Sequence, residues 1–262
     1  MKTNYFEINS KTIIGVVHCL PLPGTANFDG DFNKILQQAI QDAKTMEQAG
    51  VDAVIVENMG DTPFAAKMGV EQITALSAAA ALVKQAVAIP VGIDAAFNDC
   101  KTALSIAAII GGAFVRIPVF VDTVVFTDGV IVPCARECMI TRKQLGIEHV
   151  KVIADIQVKH THMLLPHITI EQSAKSAVEC GADGIIVTGS LIGEQTPLEM
   201  IKRAKSVVNI PVFAGSGVNK NNINQQFEIA DGAIIGSSLK EDGVITNPIS
   251  YHLVRELVDA LL

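Results

Sequence analysis

Asp155, Gln157 and Lys159 alternate at the end of an apolar run that begins at Lys151. On a strand, a spacing of two turns all three side chains to one face. A carboxylate and an amine on one face can serve as base and acid, and an amine whose pKa is lowered by burial can form a Schiff base. The competing reading is a rim salt bridge with a solvated Lys159. Other polar residues close similar runs: His18, Glu57 with Asn58, Asp94, and Thr188 with Gly189. Arg116 lies inside an apolar run, and a buried Arg needs a carboxylate or an anionic ligand. Asp94 is a candidate partner. Asp155, Lys159, Glu57, Asp94 and His18 are therefore candidate catalytic groups. Arg116, Asn58, Gln157, His160, Thr188 and Gly189 are candidate ligand contacts.

Two further runs end in small residues, Gly215-Ser216-Gly217 and Gly236-Ser237-Ser238. Glycine lets the backbone approach an anion, serine hydroxyls add donors, and a following helix start adds a positive dipole. All six residues are candidate phosphate contacts, although tight strand-to-helix turns read the same way. Neither segment is a Gly-x-Gly-x-x-Gly or Gly-Lys-Ser/Thr nucleotide motif. Glu57 and Asp61 flank a glycine turn, where they could place a base or hold Mg²⁺ against a phosphate, while Asp61 also reads as a helix cap. His160, His162 and His167 could form a metal cluster but read better as solvent-facing. Cys134 and Cys138 share a helical face without the second pair a zinc site needs. No metal site is assigned and no cofactor is required, with Mg²⁺ left open.

The elements that must position these groups alternate along the chain. Strands are expected at Ile13–His18, Ala53–Glu57, Pro90–Asp94, Ala113–Ile117, Lys151–Gln157, Gly184–Thr188, Pro211–Ala214 and Ala233–Gly236. Helical patterns lie between them at Phe32–Gln48, Gln72–Gln85, Cys100–Ile110, Ile170–Glu179 and Pro197–Val207. Ala49–Val56 and Ile89-Pro90-Val91 are echoed about half a chain later by Cys180–Val187 and Ile210-Pro211-Val212. Eight strands interleaved with helices imply one α/β domain over residues 1–262, a (β/α)₈ TIM barrel. Its chemistry belongs at the C-terminal ends of the strands, with phosphate-binding loops after the seventh and eighth.

Composition narrows the function classes. The chain has 262 residues, 49% hydrophobic and 18% charged, with a net charge of −7. That content excludes disorder, and the acidic balance without a long basic run argues against nucleic acid. The most apolar stretch, Ala103–Val121, is interrupted by Gly111-Gly112, Arg116 and Pro118, so no membrane span is expected. The segment Met1–Lys11 has no signal-peptide core. Five cysteines, an odd number, fit reduced thiols and a cytoplasmic protein. The apolar C-terminal helix Tyr251–Leu262 would seal the barrel bottom or meet a second copy, leaving a homo-oligomer open.

An ordered set of motifs resembles the BtpA family, including its SgcQ-like members. His18-Cys19-Leu20-Pro21-Leu22-Pro23-Gly24 matches His-x-x-Pro-Leu-Pro-Gly, and Glu57–Phe64 matches Glu-Asn-x-Gly-Asp-x-Pro-Phe. Phe114-Val115-Arg116, Ala154–His160, Thr188-Gly189, Gly215–Val218 and Gly236–Lys240 continue the series over nearly the whole chain. Phe97 stands where the family commonly has Arg, which removes a cationic contact. The resemblance implies a phosphate-binding barrel whose relatives are linked to photosystem I biogenesis or to sugar transport and metabolism. The leading expectation is an enzyme acting on a small phosphorylated sugar or nucleoside-like metabolite, as an isomerase, lyase/aldolase or glycosyl-bond enzyme. A non-catalytic assembly or stability factor and a metal-dependent hydrolase are the alternatives.

Overall fold

The computed structural model describes residues 6, 7, 11–189 and 195–261. The eight expected strands all form, as β1 (Thr12–His18), β2 (Ala53–Glu57), β3 (Val91–Asp94), β4 (Phe114–Ile117), β7 (Lys151–Ile156), β9 (Gly184–Val187), β10 (Val212–Ala214) and β11 (Gly232–Ile235). They close into a parallel barrel in the order β1-β11-β10-β9-β7-β4-β3-β2. Three short strands that sequence reading does not reveal, β5 (Val124–Phe126), β6 (Gly129–Ile131) and β8 (His162–Met163), form a separate antiparallel sheet.

The α-helices among the described residues are α1 (Phe32–Ala49), α2 (Val70–Ala86), α3 (Cys100–Ile110), α4 (Ala135–Gln144), α5 (Ile170–Glu179), α6 (Leu198–Lys205), α7 (Ile223–Phe227) and α8 (Tyr251–Asp259). Local chemistry fixes their ends. Asp31 caps α1 by accepting the Lys34 N–H, and Gly50 stops it at φ 97°, a left-handed conformation that glycine adopts without strain. Asp99 caps α3, and Thr169 caps α5 with Gln172 reaching back.

Period two divides each strand. One set of side chains packs outward against the helices, and the other fills the barrel interior with Ile14, Val16, Ile55, Phe114, Ile153, Ile186, Phe213 and Ile234. Two rings need room that only glycine gives: a Cβ on Gly92 would lie 2.2 Å from the Phe114 ring, and one on Gly232 2.5 Å from Phe213. Phe6 stacks on Phe114, with centroids 4.8 Å apart, and closes the N-terminal end of the barrel. The C-terminal helix does not seal that end. α8 packs beside α1 in the outer ring, and residue 262 lies outside the described residues, as do 1–5 and 8–10 of the N-terminal segment. No helix among the described residues is long and apolar enough to cross a membrane. The five thiols are free, four of them buried.

One buried ion pair holds the chain that follows β11. Lys240 Nζ donates to Asp42 Oδ2 of α1 at 2.5 Å, and the Ile249 N–H donates to Asp42 Oδ1 at 2.8 Å. Both side chains are almost wholly excluded from solvent. Removing one partner of such a pair leaves the other charge buried alone. Lys240→Met is expected to lower the unfolding free energy by about 3–5 kcal/mol in urea titrations. Adding Asp42→Leu should restore much of that loss.

Candidate functional site

The inward row of each strand continues the apolar filling upward and then changes chemistry at the last residue. On β1, Ile14 and Val16 are followed by His18, and on β2, Ala53 and Ile55 by Glu57. β3 ends in Asp94, Arg116 follows Phe114, and Asp155 follows Ile153. Strand register sets His18 beside Glu57 and Glu57 beside Asp94. The top layer of the barrel therefore gathers five polar groups from consecutive strands. The remaining strands end in smaller residues, Thr188, Gly215 and Gly236.

Arg116 organises this layer. Its Nε and Nη2 donate to Asp155 Oδ1 and Oδ2, each at 2.9 Å, a bidentate pair. Nη1 lies 3.5 Å from Asp94 Oδ2 and 3.7 Å from Glu57 Oε2. Arg116 and all three carboxylates are buried. The guanidinium pKa is raised, since the Asp155, Asp94 and Glu57 charges outweigh the cost of burial. Burial and the neighbouring acids raise the Asp94 carboxyl well above its ordinary value, and burial raises Glu57 despite Arg116. Lys159 is lowered by burial and by Arg116. His18 is pushed down to about 3 by burial, with Lys240, Lys159 and Arg116 adding to the effect, so it is a neutral imidazole at pH 7.

A cavity of about 330 Å³ opens above this layer. His18, Glu57, Asp94, Arg116, Lys159 and His160 border it, as do both glycine–serine segments. Two buried polar atoms of its wall, His18 Nδ1 and Asp94 Oδ1, have no hydrogen-bond partner among the described residues. Orphaned buried polar atoms are costly and rare, and they mark where a ligand would be satisfied.

Several expected site residues have other work. Asp155 does not border the cavity; both its oxygens are engaged by Arg116, so it positions that cation instead of meeting a ligand. The expected alternation of Asp155, Gln157 and Lys159 fails because β7 ends at Ile156 and Gln157 takes a φ of 48°. Gln157 turns to the Ile168 carbonyl and the Ser173 hydroxyl, away from the cavity, while Lys159 still reaches it. Asn58 is buried and clamps Ala96, donating to its carbonyl and accepting its N–H. Thr188 Oγ1 accepts the Lys159 N–H, and the Gly189 N–H donates to Ser216 Oγ. These two contacts tie the loops that carry Lys159 and Ser216. Ser238 Oγ donates to the Val218 carbonyl and joins the two glycine–serine segments.

Helix dipoles contribute less than expected at those segments. After β10 a helix begins only at Ile223 and is short, and after β11 there are only short 3₁₀ turns, Ser237–Leu239 and Glu241–Gly243, before α8. Backbone approach is set by sterics instead. A Cβ on Gly236 would lie 2.5 Å from the His18 ring, and one on Gly215 2.4 Å from Ile186.

The residues do not fit a divalent cation between Glu57 and Asp61. Asp61 accepts from the Leu22 N–H, Asn58 and Gln72, while Arg116 takes the place beside Glu57 that a cation would occupy. Nor is Asp61 the cap of α2; that position is Gly69. Of the three histidines, His160 borders the cavity while His162 lies in the exposed β8. No cluster able to hold a metal ion occurs among the described residues.

The raised carboxyls fix the sign of a pH effect. A carboxyl whose folded pKa lies above its unfolded value stabilises the fold most below the unfolded pKa, and that contribution is lost as pH rises through the folded pKa. Replacing Arg116 by Met removes the opposing cation and pushes Asp94 and Glu57 higher still. The Arg116→Met protein is expected to unfold at lower urea concentration than the parent at pH 7. Its midpoint should recover on acidification toward pH 5 more steeply than the parent's.

Comparison with known proteins places this geometry in context. The sequence profile of the BtpA family matches residues 9–261. An uncharacterised protein of Pyrococcus furiosus is 46% identical over 96% of this chain and 95% of its own. The photosystem I biogenesis protein BtpA of Synechocystis is 35% identical over 95% of this chain and 87% of its own. Among solved structures, thiamine phosphate pyrophosphorylase from Pyrococcus furiosus superimposes with a TM-score of 0.62 at 13% identity, covering 97% of this chain and 96% of its own. The (S)-3-O-geranylgeranylglyceryl phosphate synthase of Thermoplasma acidophilum, in complex with sn-glycerol-1-phosphate, also gives 0.62, at 15% identity over 96% and 93%. Likeness at that identity reaches the TIM-barrel fold, whereas the profile and the sequence relatives go further: the chain belongs to the BtpA family.

Proposed function

We propose that the protein is an enzyme acting on a small phosphorylated metabolite, with the phosphate held at the glycine–serine segments after β10 and β11. The carrying observation is that His18 Nδ1 and Asp94 Oδ1 stand buried and unpartnered on the wall of the cavity those segments border. A packed structural barrel has no need of such atoms, since apolar residues would fill the layer at less cost. Two cations, Arg116 and Lys159, border the same space and favour an anionic ligand. That two of the superimposed barrels carry a phosphate ester in their names, one of them in complex with its substrate sn-glycerol-1-phosphate, agrees with this reading.

The chemistry that fits is proton transfer on the bound substrate. Asp94, raised by burial and its acidic neighbours, holds its proton to higher pH than an ordinary carboxyl and can donate it. Lys159, lowered by burial and Arg116, gives up its proton more readily than an exposed amine and can act as base or attack a carbonyl. Neutral His18 can donate or accept one hydrogen bond at Nδ1, according to tautomer. Arg116, oriented by Asp155, supplies fixed positive charge. This combination can serve an isomerase or a lyase. The name of the Synechocystis relative raises a second reading, an assembly factor. Exposed Val130, Val132, Leu164 and Leu165 on and beside the small sheet favour it.

A thermal-shift titration separates the two. Inorganic phosphate and phosphomonoesters are expected to raise the melting temperature, by the equivalent of about 2.7 kcal/mol at a hundred times Kd. Ser237→Asp, which puts a carboxylate on the cavity wall, should abolish the rise. Absence of any rise with the parent protein would reject the phosphate reading and leave the assembly role. Asp94→Asn should keep the phosphate response while lowering turnover of the identified substrate by about 10²–10⁴-fold.

A further inference from the structure

The glycine–serine segments leave β10 and β11. In the closed order of eight strands, the positions diametrically across from these two are β3 and β4. The loops that leave β3 and β4 build a wall of a different kind. Phe97, just after β3, stacks on Phe126 of β5 with centroids 4.2 Å apart and planes at 10°. Phe64, from the loop after β2, tilts against Phe97 at 6.3 Å and 48°. All three rings border the same cavity as Gly217 and Ser237. Its Asp, Glu, Lys and Arg neighbours are Glu57, Asp94, Arg116 and Lys159, all in or just beyond the top layer of the barrel. The aromatic wall itself carries no charge.

We infer that the ligand is a phosphomonoester whose body is a planar aromatic or heteroaromatic ring, with the phosphate on the glycine–serine side and the ring against Phe97 and Phe126. The inference rests on the phosphate reading above and adds the chemistry of the other end. An open polyhydroxyl chain laid on this wall would lose water from its hydroxyls and gain few partners. A flat ring gains apolar burial and offset or edge contacts with the stacked rings. The wall is also set in advance. Asn58 holds Ala96 through two hydrogen bonds, the Phe97 N–H donates to the Ala65 carbonyl, and Asn98 exchanges two hydrogen bonds with Val119. A wall fixed before binding loses little conformational freedom when the ligand arrives. A ligand spanning the two walls would carry its central bonds past the Asp94–Arg116–Lys159 layer, where the acid and base stand.

Calorimetric titration of the intact protein with inorganic phosphate, ribose 5-phosphate and phenyl phosphate tests this. Phenyl phosphate is expected to bind about tenfold more tightly than ribose 5-phosphate, the scale of an added aromatic contact. Phe126→Leu, on the short sheet outside the barrel, should remove most of that advantage and leave the inorganic phosphate affinity within about twofold. Phe97→Leu gives a second, independent reading of the same wall. Phosphate binding with ribose 5-phosphate equal to or tighter than phenyl phosphate overturns the ring assignment and spares the phosphate reading. So does a Phe126→Leu protein that weakens both phosphates alike. Failure of all three compounds to bind overturns both.

Discussion

The ion cluster around Arg116 is the constraint on which the top of the barrel depends. Three carboxylates from β2, β3 and β7 point into one layer where water is scarce, and they cannot all be charged there without a cation. Arg116 meets the requirement because its planar fork holds Asp155 with two parallel hydrogen bonds and leaves Nη1 for Asp94 and Glu57. A lysine would offer a point charge without that geometry. Burial, with the neighbouring acids adding to it, raises the Asp94 carboxyl well above its ordinary range despite Arg116. Burial, with the nearby guanidinium adding to it, makes Lys159 a weaker base than usual. One arrangement of charges therefore yields an acid and a base with pKa values moved toward one another.

That layer exists only because the filling beneath it is complete. Phe114 and Phe213 occupy the lower barrel, and glycine at 92 and 232 makes the space for them. Were those positions larger, the rings would be displaced into the layer that now holds Arg116 and its partners. The outer attachment matters too. Lys240 and Asp42 bind the chain after β11 to α1, which holds Gly236 against His18 and keeps that edge of the cavity in place.

Much of this was legible in the sequence, for physical reasons. A buried parallel strand is a short β-branched run, and the polar residue closing such a run stands out against it, so His18, Glu57 and Asp94 could be found by reading run ends, and Arg116 as a charge inside such a run. The cost of a lone buried guanidinium pointed to Asp94, which does lie 3.5 Å from Nη1, but the bidentate partner is Asp155, read from the sequence as a catalytic group. What was hidden had weak local signals. Gln157 looked like a continuation of the strand, because nothing in its neighbours announces a positive φ. Asn58, Thr188 and Ser238 have the donors and acceptors of ligand contacts, and only the fold shows that backbone groups and neighbouring loops engage them. The hairpin from Val124 to Ile131 is three residues on each side, too short for alternation to register. With it went Phe126, and so the stacking partner of Phe97.

The two walls and the floor of the cavity have separate origins in the chain, and this bears on how such a site can vary. The floor is written into strand ends, where a change of one residue disturbs a buried charge network and with it the fold. The glycine–serine segments are bounded by sterics, since a side chain on Gly215 or Gly236 would strike Ile186 or His18. The aromatic wall is built from loops and a small sheet outside the barrel, where ring packing, the Asn58 clamp and local hydrogen bonds to backbone groups restrain it. A substitution there changes the surface met by the far end of a ligand and leaves the Arg116 cluster untouched. Phe97 and Phe126 stand on that wall, which the charge network does not need. Under the proposed function, chemistry at the floor and choice of ligand at the wall fall to residues that can change independently.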